Sequence, residues 1–455
     1  MFVKISKQTV IRESANGGIA INILNGEECA LNETGLFFMQ TINRNQVYDT
    51  IELASELVSS FENVNTEELH LDLVDFYKVM GERGFVDISD SMDGIDSYIL
   101  EWLHIDITTA CNERCLHCYI PDGIKDKKEI MSLELFCRII DEFVGQGGSN
   151  LTISGGEPLL HPSIMEMLDY CKSKKLAISF FSNLLVLKDL HIELLSSMNV
   201  SMVQTSVYSL APAIHDGITQ IKGSLAKTLK SVEHLLEAGI SVQFSCPVMS
   251  LNKESVPDLM DYCKRKNIRL RTNSLIIPQQ KGLMLREEIE RLTLKQNECM
   301  LCSMLERDSS YTLERLIQSS NRIEQFHVNP KEFLSSSVCN AGIDHLCVSA
   351  NGNVYPCSGW DSYKLGNIHE MSLVDIWRYS KPLRLLRQIN QQRNFLECLE
   401  CKALDFCKRC FVNSESENGG ELLRVNPRVC REAFLIKDIV EKYTLTQKSE
   451  EDSCK

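Results

Sequence analysis

The sequence has no excess of basic residues: 48 Lys+Arg against 62 Asp+Glu leave a formal charge of −14. A nucleic-acid binder carries a basic footprint, so that class is set aside. A long apolar run is also missing. The most apolar stretch, Leu176 to Leu187, is interrupted by serines and Asn183, whereas a bilayer span needs about 20 apolar residues. The start of the chain carries Lys4 and Lys7 but no apolar core of a secretory signal. No internal repeat or low-complexity tract occurs. Together these absences predict a soluble, cytoplasmic protein with neither nucleic acid nor membrane as partner. With 44% hydrophobic and 24% charged residues, the chain can bury sizeable cores. Its 455 residues suit about three domains.

What the chain has in abundance is cysteine, 19 in all. Without an export signal, clustered cysteines in a long chain more often bind metal or clusters than form disulfides. Cys29, Cys137, Cys171, Cys246 and Cys263 stand alone, mostly in apolar segments, and read as small core residues. The others fall into groups that carry the chemistry.

Residues 1–88 read as a small α+β module. Strands are predicted at Thr9–Glu13 and Ile19–Leu24, with Gly17-Gly18 as the hairpin turn between them and Ile19, Ile21 and Ile23 alternating. Helices follow at 33–41, 47–61 and 66–83. The third places Leu69, Leu73, Phe76 and Met80 on one face, with Asn65 and Glu68 set as a capping box and Gly84 closing it. The polar stretch Ser89–Ser97 lacks periodicity, and a linker is predicted over 89–100. From there strand and helix alternate. Strands are predicted at 103–108, 151–154, 176–181, 201–207, 242–248 and 268–272, separated by amphipathic helices such as 133–143, 164–172, 225–236 and 256–264. Six βα units in series demand an α/β fold with a parallel sheet and right-handed crossovers. Ligands of such sheets sit at the carboxyl ends of the strands. A mostly helical connector, a cysteine-dense segment from Val338 to Cys430, and a terminal helix with a polar tail (436–455) complete the chain.

Cys111, Cys115 and Cys118 form C-x3-C-x2-C in the loop after the first of these strands. Three thiolates can hold a 4Fe–4S cluster and leave one iron without a protein ligand; a zinc site would need a fourth ligand, for which His117 and His104 are candidates. At the end of the second strand stands Gly155-Gly156-Glu157-Pro158. Two glycines let backbone approach a ligand, and the glutamate can accept from an ammonium group. Together, these motifs and the βα repeat resemble the radical SAM superfamily. The resemblance covers residues 101–300 and implies a partial (β/α)6 TIM barrel that binds S-adenosylmethionine (SAM) through the open iron. On that basis Cys111, Cys115 and Cys118 would ligate the cluster, and Gly155, Gly156 and Glu157 would hold the methionine ammonium group. His117 would pack near the adenine, and Ser206 would contact the ribose. Two departures concern the ribose side: Ser182-Asn183-Leu184 stands where many relatives have Thr-Asn-Gly, and Tyr208 replaces the usual Asp. The chemistry implied is reductive cleavage of SAM to a 5′-deoxyadenosyl radical that abstracts hydrogen from an unactivated carbon, sheltered from water.

The C-terminal block contains Cys339, Cys347, Gly352-x4-Cys357, Cys398-x2-Cys401-x5-Cys407-x2-Cys410 and Cys430. Over 338–435 it resembles a SPASM domain, although Cys407 and Cys410 are separated by two residues where three are commonest. Two CxxC pairs would also suit a zinc ribbon. The resemblance implies two auxiliary 4Fe–4S clusters, one held by Cys398, Cys401, Cys407 and Cys430, the other by Cys339, Cys357 and Cys410. Cys347, which alternates with Leu346 and Val348, is either the fourth ligand of the latter, the expectation adopted here, or a buried thiol. Cys299-x2-Cys302, where the core (101–300) meets the connector (301–337), leaves a structural or redox role open, and Cys454 in the tail reads as incidental.

Leu31-Asn32-Glu33-Thr34-Gly35 and the helices after it resemble the PqqD-like RiPP recognition element, a winged helix to which a leader peptide adds as a strand. Acidic residues on the third helix, among them Glu67, Glu68, Asp72 and Asp75, speak against a nucleic-acid-binding winged helix. The combined resemblance implies an enzyme that binds the leader of a ribosomally made precursor and installs a crosslink, foremost a Cys thioether. It further implies an electron donor such as flavodoxin or ferredoxin. A carbon–carbon crosslink, epimerisation or sulfatase-type maturation are alternatives, and a non-catalytic iron–sulfur or zinc scaffold is the alternative from another class.

Overall fold

The computed structural model describes all residues except 7, 15, 24–25, 44–46, 62, 90–97, 119, 121, 277–290, 318–321 and 454–455. Most of the polar linker and Cys454 therefore lie outside the described residues. Contacts divide the chain into two units, Met1–Ile99 and Leu100–Lys455.

The first unit contains strands β1 (Phe2–Ile5), β2 (Thr9–Ser14), β3 (Gly17–Asn22), β4 (Glu28–Leu31), β5 (Tyr48–Asp49) and β6 (Val86–Ser89). They form two antiparallel sheets, ordered β5-β1-β6 and β2-β3-β4. Helix α1 (Glu33–Thr41) starts where the Asn32 side chain accepts from the Gly35 amide. Helix α2 spans Thr50–Leu57. Helix α3 (Thr66–Glu82) opens with the reciprocal Asn65/Glu68 capping box that its sequence predicts. Its buried face is Leu69, Leu73, Tyr77 and Met80. Phe76 packs against this core half-buried, and Tyr77 is fully buried because its hydroxyl donates to the Phe38 carbonyl at 2.7 Å. Two details of the β2–β3 hairpin differ from the sequence expectation. Gly17 and Gly18 lie within β3, paired with Ser14 and Glu13, so the turn precedes them. Ile19 and Ile23 are exposed while Gly18 and Ala20 face inward. The reason is close approach: a Cβ on Gly18 would lie 2.8 Å from a Leu36 methyl of α1.

The second unit is built on parallel strands β7 (Trp102–Asp106), β8 (Asn150–Ser154), β9 (Ala177–Phe181), β10 (Val200–Ser206), β11 (Val242–Pro247) and β12 (Arg269–Asn273), neighbours in that order. All six fall within two residues of their predicted bounds. Intervening helices such as Leu133–Gly145 and Ser224–Glu237 bury one apolar stripe against Leu103, Ile105, Leu151, Ile153, Ile178 and Phe180. The opposite side chains of the strands are largely polar: His104, Asp106, Thr152, Ser154, Ser179, Gln243. This is the layout of a barrel with helices outside and a polar interior.

One feature of the sheet is absent from the sequence reading. The hairpin of β13 (His345–Val348) and β14 (Asn353–Tyr355), extended by β15 (Gly366–Asn367), joins the barrel sheet by parallel pairing of β13 with β7. The cysteine-rich segment is thus continuous with the βα sheet. It has its own core around Trp360, Leu386, Phe395, Leu404 and Phe411. Among the described residues, no helix is long and apolar enough to cross a membrane.

Candidate active site

The loop after β7 and the Gly-Gly turn after β8 are laced together by backbone. The Gly156 amide donates to the Thr108 carbonyl at 2.7 Å, and the Glu157 amide to the Ala110 carbonyl at 2.8 Å. Gly155 has φ +142°, where a side chain is strained, and its Cβ would lie 2.3 Å from the Thr108 oxygen. The glycines are therefore required by the approach of the two loops to each other, and that approach places Glu157 beside the segment that leads into Cys111.

Glu157 is fully buried and accepts three hydrogen bonds: from the Leu159 amide (3.0 Å), the Ser182 hydroxyl (2.7 Å) and the Asn183 amide (2.7 Å). Burial still raises its carboxyl to about 7. Ser182-Asn183-Leu184 thus supports the glutamate directly, and Asn183 also donates to Asn112 within the cysteine loop at 2.6 Å. Leu184 has φ +65°, keeping the left-handed backbone that glycine would supply at no cost. Its complete burial offsets that strain.

Cys111, Cys115 and Cys118 surround a charged microenvironment. Burial pushes the Cys111 thiol up to about 12, and burial together with Glu113 pushes Cys115 well above the ordinary range. The Cys115 thiol donates to Glu113 at 3.2 Å, and Glu113 itself is raised by burial to about 7. Lys125 is the counter-charge. Burial opposes its ionisation, but Cys118, Cys111 and Cys115 more than offset this and hold the ammonium above its usual range. His117 is kept neutral, its pKa lowered by burial to about 4, and its Nε2 lies 2.7 Å from the Tyr208 hydroxyl. Tyr208, fully buried, also reaches Cys115 at 3.8 Å and neighbours Ser206. The departure at 208 thus links the end of β10 to a thiol of the first cysteine group. Lys125 did not stand out in the sequence, and Tyr208 stood out only as a departure from the ribose-side motif.

The C-terminal cysteines meet in two neighbourhoods. Cys357 is raised by burial and then by Cys410 and Cys339, and Cys339 is raised by burial to about 11 with Cys410 contributing. Cys398, Cys407 and Cys430 are raised first by burial, with Cys401 a neighbour of Cys398 and Cys430, and Cys398 a neighbour of Cys407 and Cys430. A small recess of about 20 Å³ is lined by Cys398, Cys407, Cys410 and Cys430 with Phe395 and Arg409. Two buried nitrogens of Arg409, Nε and Nη1, make no hydrogen bond there. Cys347 lies on β13 opposite His104, and Cys357 is among the neighbours that raise its thiol. Cys299 and Cys302 lie on the helix Leu294–Arg307.

The donor spacing bears on what these thiols can hold. Thiolates around one zinc lie about 3.8 Å apart, given Zn–S bonds of about 2.3 Å. Among the described residues, no three of the motif cysteines bring their sulfurs within 4.8 Å of one another. An iron–sulfur cube spreads its thiolates further than a single ion does, and the all-sulfur donor sets suit such clusters.

Comparison with known proteins agrees with this chemistry. Residues 105–263 match the model of the radical SAM superfamily, and residues 339–410 that of the SPASM iron–sulfur cluster-binding domain. The antilisterial bacteriocin subtilosin biosynthesis protein AlbA of Bacillus subtilis is 24% identical over 69% of this chain and 67% of its own length. The AdoMet-dependent heme synthase of Nitratidesulfovibrio vulgaris is 21% identical over 70% of this chain and 89% of its own. In fold, the chain is similar to Streptococcus suis SuiB crystallised with S-adenosylmethionine, with a TM-score of 0.56 at 19% identity, covering 94% of this chain and 99% of SuiB.

Proposed function

We propose that this chain, a radical SAM enzyme with a SPASM domain, matures a ribosomally made precursor peptide by installing a Cys thioether crosslink. The observation that carries the reading is a cluster-type core joined to a separately packed unit, Met1–Ile99, whose β2-β3-β4 sheet has β2 and β4 as edges. An edge strand is where an extended leader can add by main-chain hydrogen bonds. The bacteriocin-maturing relative supports a peptide substrate; a tetrapyrrole, suggested by the heme synthase relative, would need no such unit.

In this reading Cys111, Cys115 and Cys118 hold a 4Fe–4S cluster. When bound, it supplies the electron that cleaves the carbon–sulfur bond of SAM. Gly155, Gly156 and Glu157 hold the methionine ammonium, neutral His117 flanks the adenine, and Ser206 with Tyr208 takes the ribose side. Cys398, Cys401, Cys407 and Cys430 hold one auxiliary cluster, and Cys339, Cys357 and Cys410 a second. A flavodoxin or ferredoxin delivers reducing electrons.

The test is anaerobic incubation with SAM, dithionite and a short cysteine-containing precursor. The expected product has lost two hydrogens, is resistant to thiol alkylation, and forms with 5′-deoxyadenosine. Deoxyadenosine without any change in peptide mass for cognate precursors would reject the reading. Removal of residues 1–99 is expected to raise the apparent KM for precursor by at least about tenfold, the equivalent of about 1.4 kcal/mol. Deoxyadenosine formation without peptide stays unchanged. Unaltered KM in the truncated enzyme would remove the leader-binding assignment.

A pH dependence follows from Glu157. Its raised pKa, about 7, means the carboxylate available to an ammonium group is half present at pH 7, nearly complete about one unit above and mostly protonated about one unit below. SAM affinity should therefore fall as pH drops from 7.5 to 6, approaching tenfold per unit at the lower end. Equilibrium dialysis measures it, and Glu157→Gln should bind weakly at every pH. A flat profile in the unmutated enzyme contradicts the role given to Glu157.

A further inference from the structure

Parallel pairing of β13 with β7 sets Cys347 opposite His104, so Trp102-Leu103-His104 runs beside His345-Leu346-Cys347 and Asp106 stands two residues further along β7. In this register His104, Asp106 and Cys347 share the polar face of the sheet. His104 Nε2 lies 3.0 Å from Asp106 Oδ1, and one ligand atom from each of the three residues lies within 4.8 Å of the others. Among the described residues this is the one group of three such side chains so gathered. It is enclosed: His104 is 5% and Cys347 2% exposed. The Phe181 ring stands edge-on to the imidazole at 6.0 Å and fixes its plane.

We propose that His104, Asp106 and Cys347 form a mononuclear site for a divalent cation of the zinc class, with its open position taking a cysteine thiolate. One imidazole, one carboxylate and one thiolate are a borderline-soft donor set suited to zinc. Neighbouring ligands of a tetrahedral ion with bonds of about 2.0–2.3 Å lie about 3.3–3.8 Å apart. The separations here, 3.0 Å for the His–Asp pair and up to 4.8 Å for the group, bracket that range. Burial, the Asp106 carboxylate and Cys357 raise the Cys347 thiol. The fourth position has no His, Cys, Asp or Glu among the described residues within the same span. Three protein ligands with one position open are the mark of a site that takes a small-molecule or substrate ligand. A thiol entering there loses its proton and binds as thiolate, with no change of oxidation state. That the thiol is a substrate cysteine rests on the peptide-maturase reading above; the metal site itself does not.

The experiment is zinc-edge X-ray absorption on anaerobically reconstituted holoenzyme dialysed against zinc, an element-specific readout that the iron clusters do not obscure. The expected result is one zinc per chain with one sulfur at about 2.3 Å and two or three nitrogen or oxygen ligands at about 2.0–2.2 Å. Cys347→Ser and His104→Ala should each weaken zinc retention at least tenfold with iron content unchanged, which also shows that the variants fold. Adding N-acetylcysteine amide should bring a second sulfur into the shell. Failure to retain zinc, or a shell of four sulfurs, overturns the site. Loss of iron rather than zinc in Cys347→Ser also overturns it and returns Cys347 to the auxiliary cluster. A shell that stays at one sulfur with the thiol present overturns the thiolate position. None of these readouts uses a precursor, so their failure leaves the peptide reading standing, whereas zinc binding without peptide turnover rejects only that reading.

Discussion

Replacing Cys111, Cys115 and Cys118 together by alanine is expected to abolish reductive SAM cleavage while about eight irons, those of two auxiliary clusters, remain bound. The physical basis is the separation of the two cysteine-bearing regions. The first group sits in the loop after β7, among Glu113, Lys125 and Tyr208. The others sit around the Trp360–Phe411 core of the C-terminal segment. Removing three thiols from the first, of which Cys115 is buried and the others half-buried, leaves the apolar packing of the second intact, so iron content should fall by about one cluster and no further. Lys125 adds a consequence. In the triple variant its buried ammonium loses the three sulfurs that hold it charged, so a modest fall in thermal stability accompanies the loss of activity. Iron analysis, the absorbance of the remaining clusters and a deoxyadenosine assay check the outcome. Residual deoxyadenosine, or loss of all iron, contradicts the assignment of separate sites.

The parts of this molecule legible in sequence are those set by local pattern. The six βα strands, the capping box at Asn65 and Glu68, and the helix after Asn32 follow from short-range periodicity and capping chemistry. The grouping of Cys339 with Cys357 and Cys410, and of Cys398 with Cys401, Cys407 and Cys430, was available through a family resemblance, since thiols so far apart in the chain share no local signal. What stayed hidden depends on pairing between distant segments. Alternation along 346–348 says that Cys347 faces away from its neighbours, but only the register of β13 on β7 says that it faces His104. Tyr208 read as a departure from a motif; in three dimensions its ring spans from β10 to His117 and Cys115. The exposed Ile19 on β3, and Ile23 just beyond its end, are the converse case. A period of two identifies a strand and leaves open which face is buried, and the close approach of Leu36 to Gly18 decided it.

Gly156→Ala is the single substitution expected to do most damage to the SAM site outside the cysteines. A Cβ at this position would lie 2.3 Å from the Ala110 oxygen, 2.6 Å from the Thr109 oxygen and 2.7 Å from the Ala110 carbonyl carbon. All three are backbone atoms, so no side chain can rotate away. The obstacle is steric, since the φ of Gly156 is not among the positive ones. Relief requires the turn after β8 to part from residues 108–110 by about 1 Å, which breaks the 2.7 Å and 2.8 Å hydrogen bonds that join them. Two groups move as a result: Glu157, which the turn delivers, and Cys111, which follows Ala110 directly. A positioning error of this size costs a preorganised site on the order of a hundredfold, about 2.8 kcal/mol. SAM affinity by equilibrium dialysis should therefore fall by about that factor, with iron retained by the C-terminal cysteines. Gly145→Ala is the matched control. It ends the helix Leu133–Gly145, and its Cβ would meet nothing within 4 Å, so SAM binding should be unchanged and stability slightly raised. Equal SAM affinity in the two variants would mean that the Gly-Gly turn is ordinary chain reversal rather than the wall of the site.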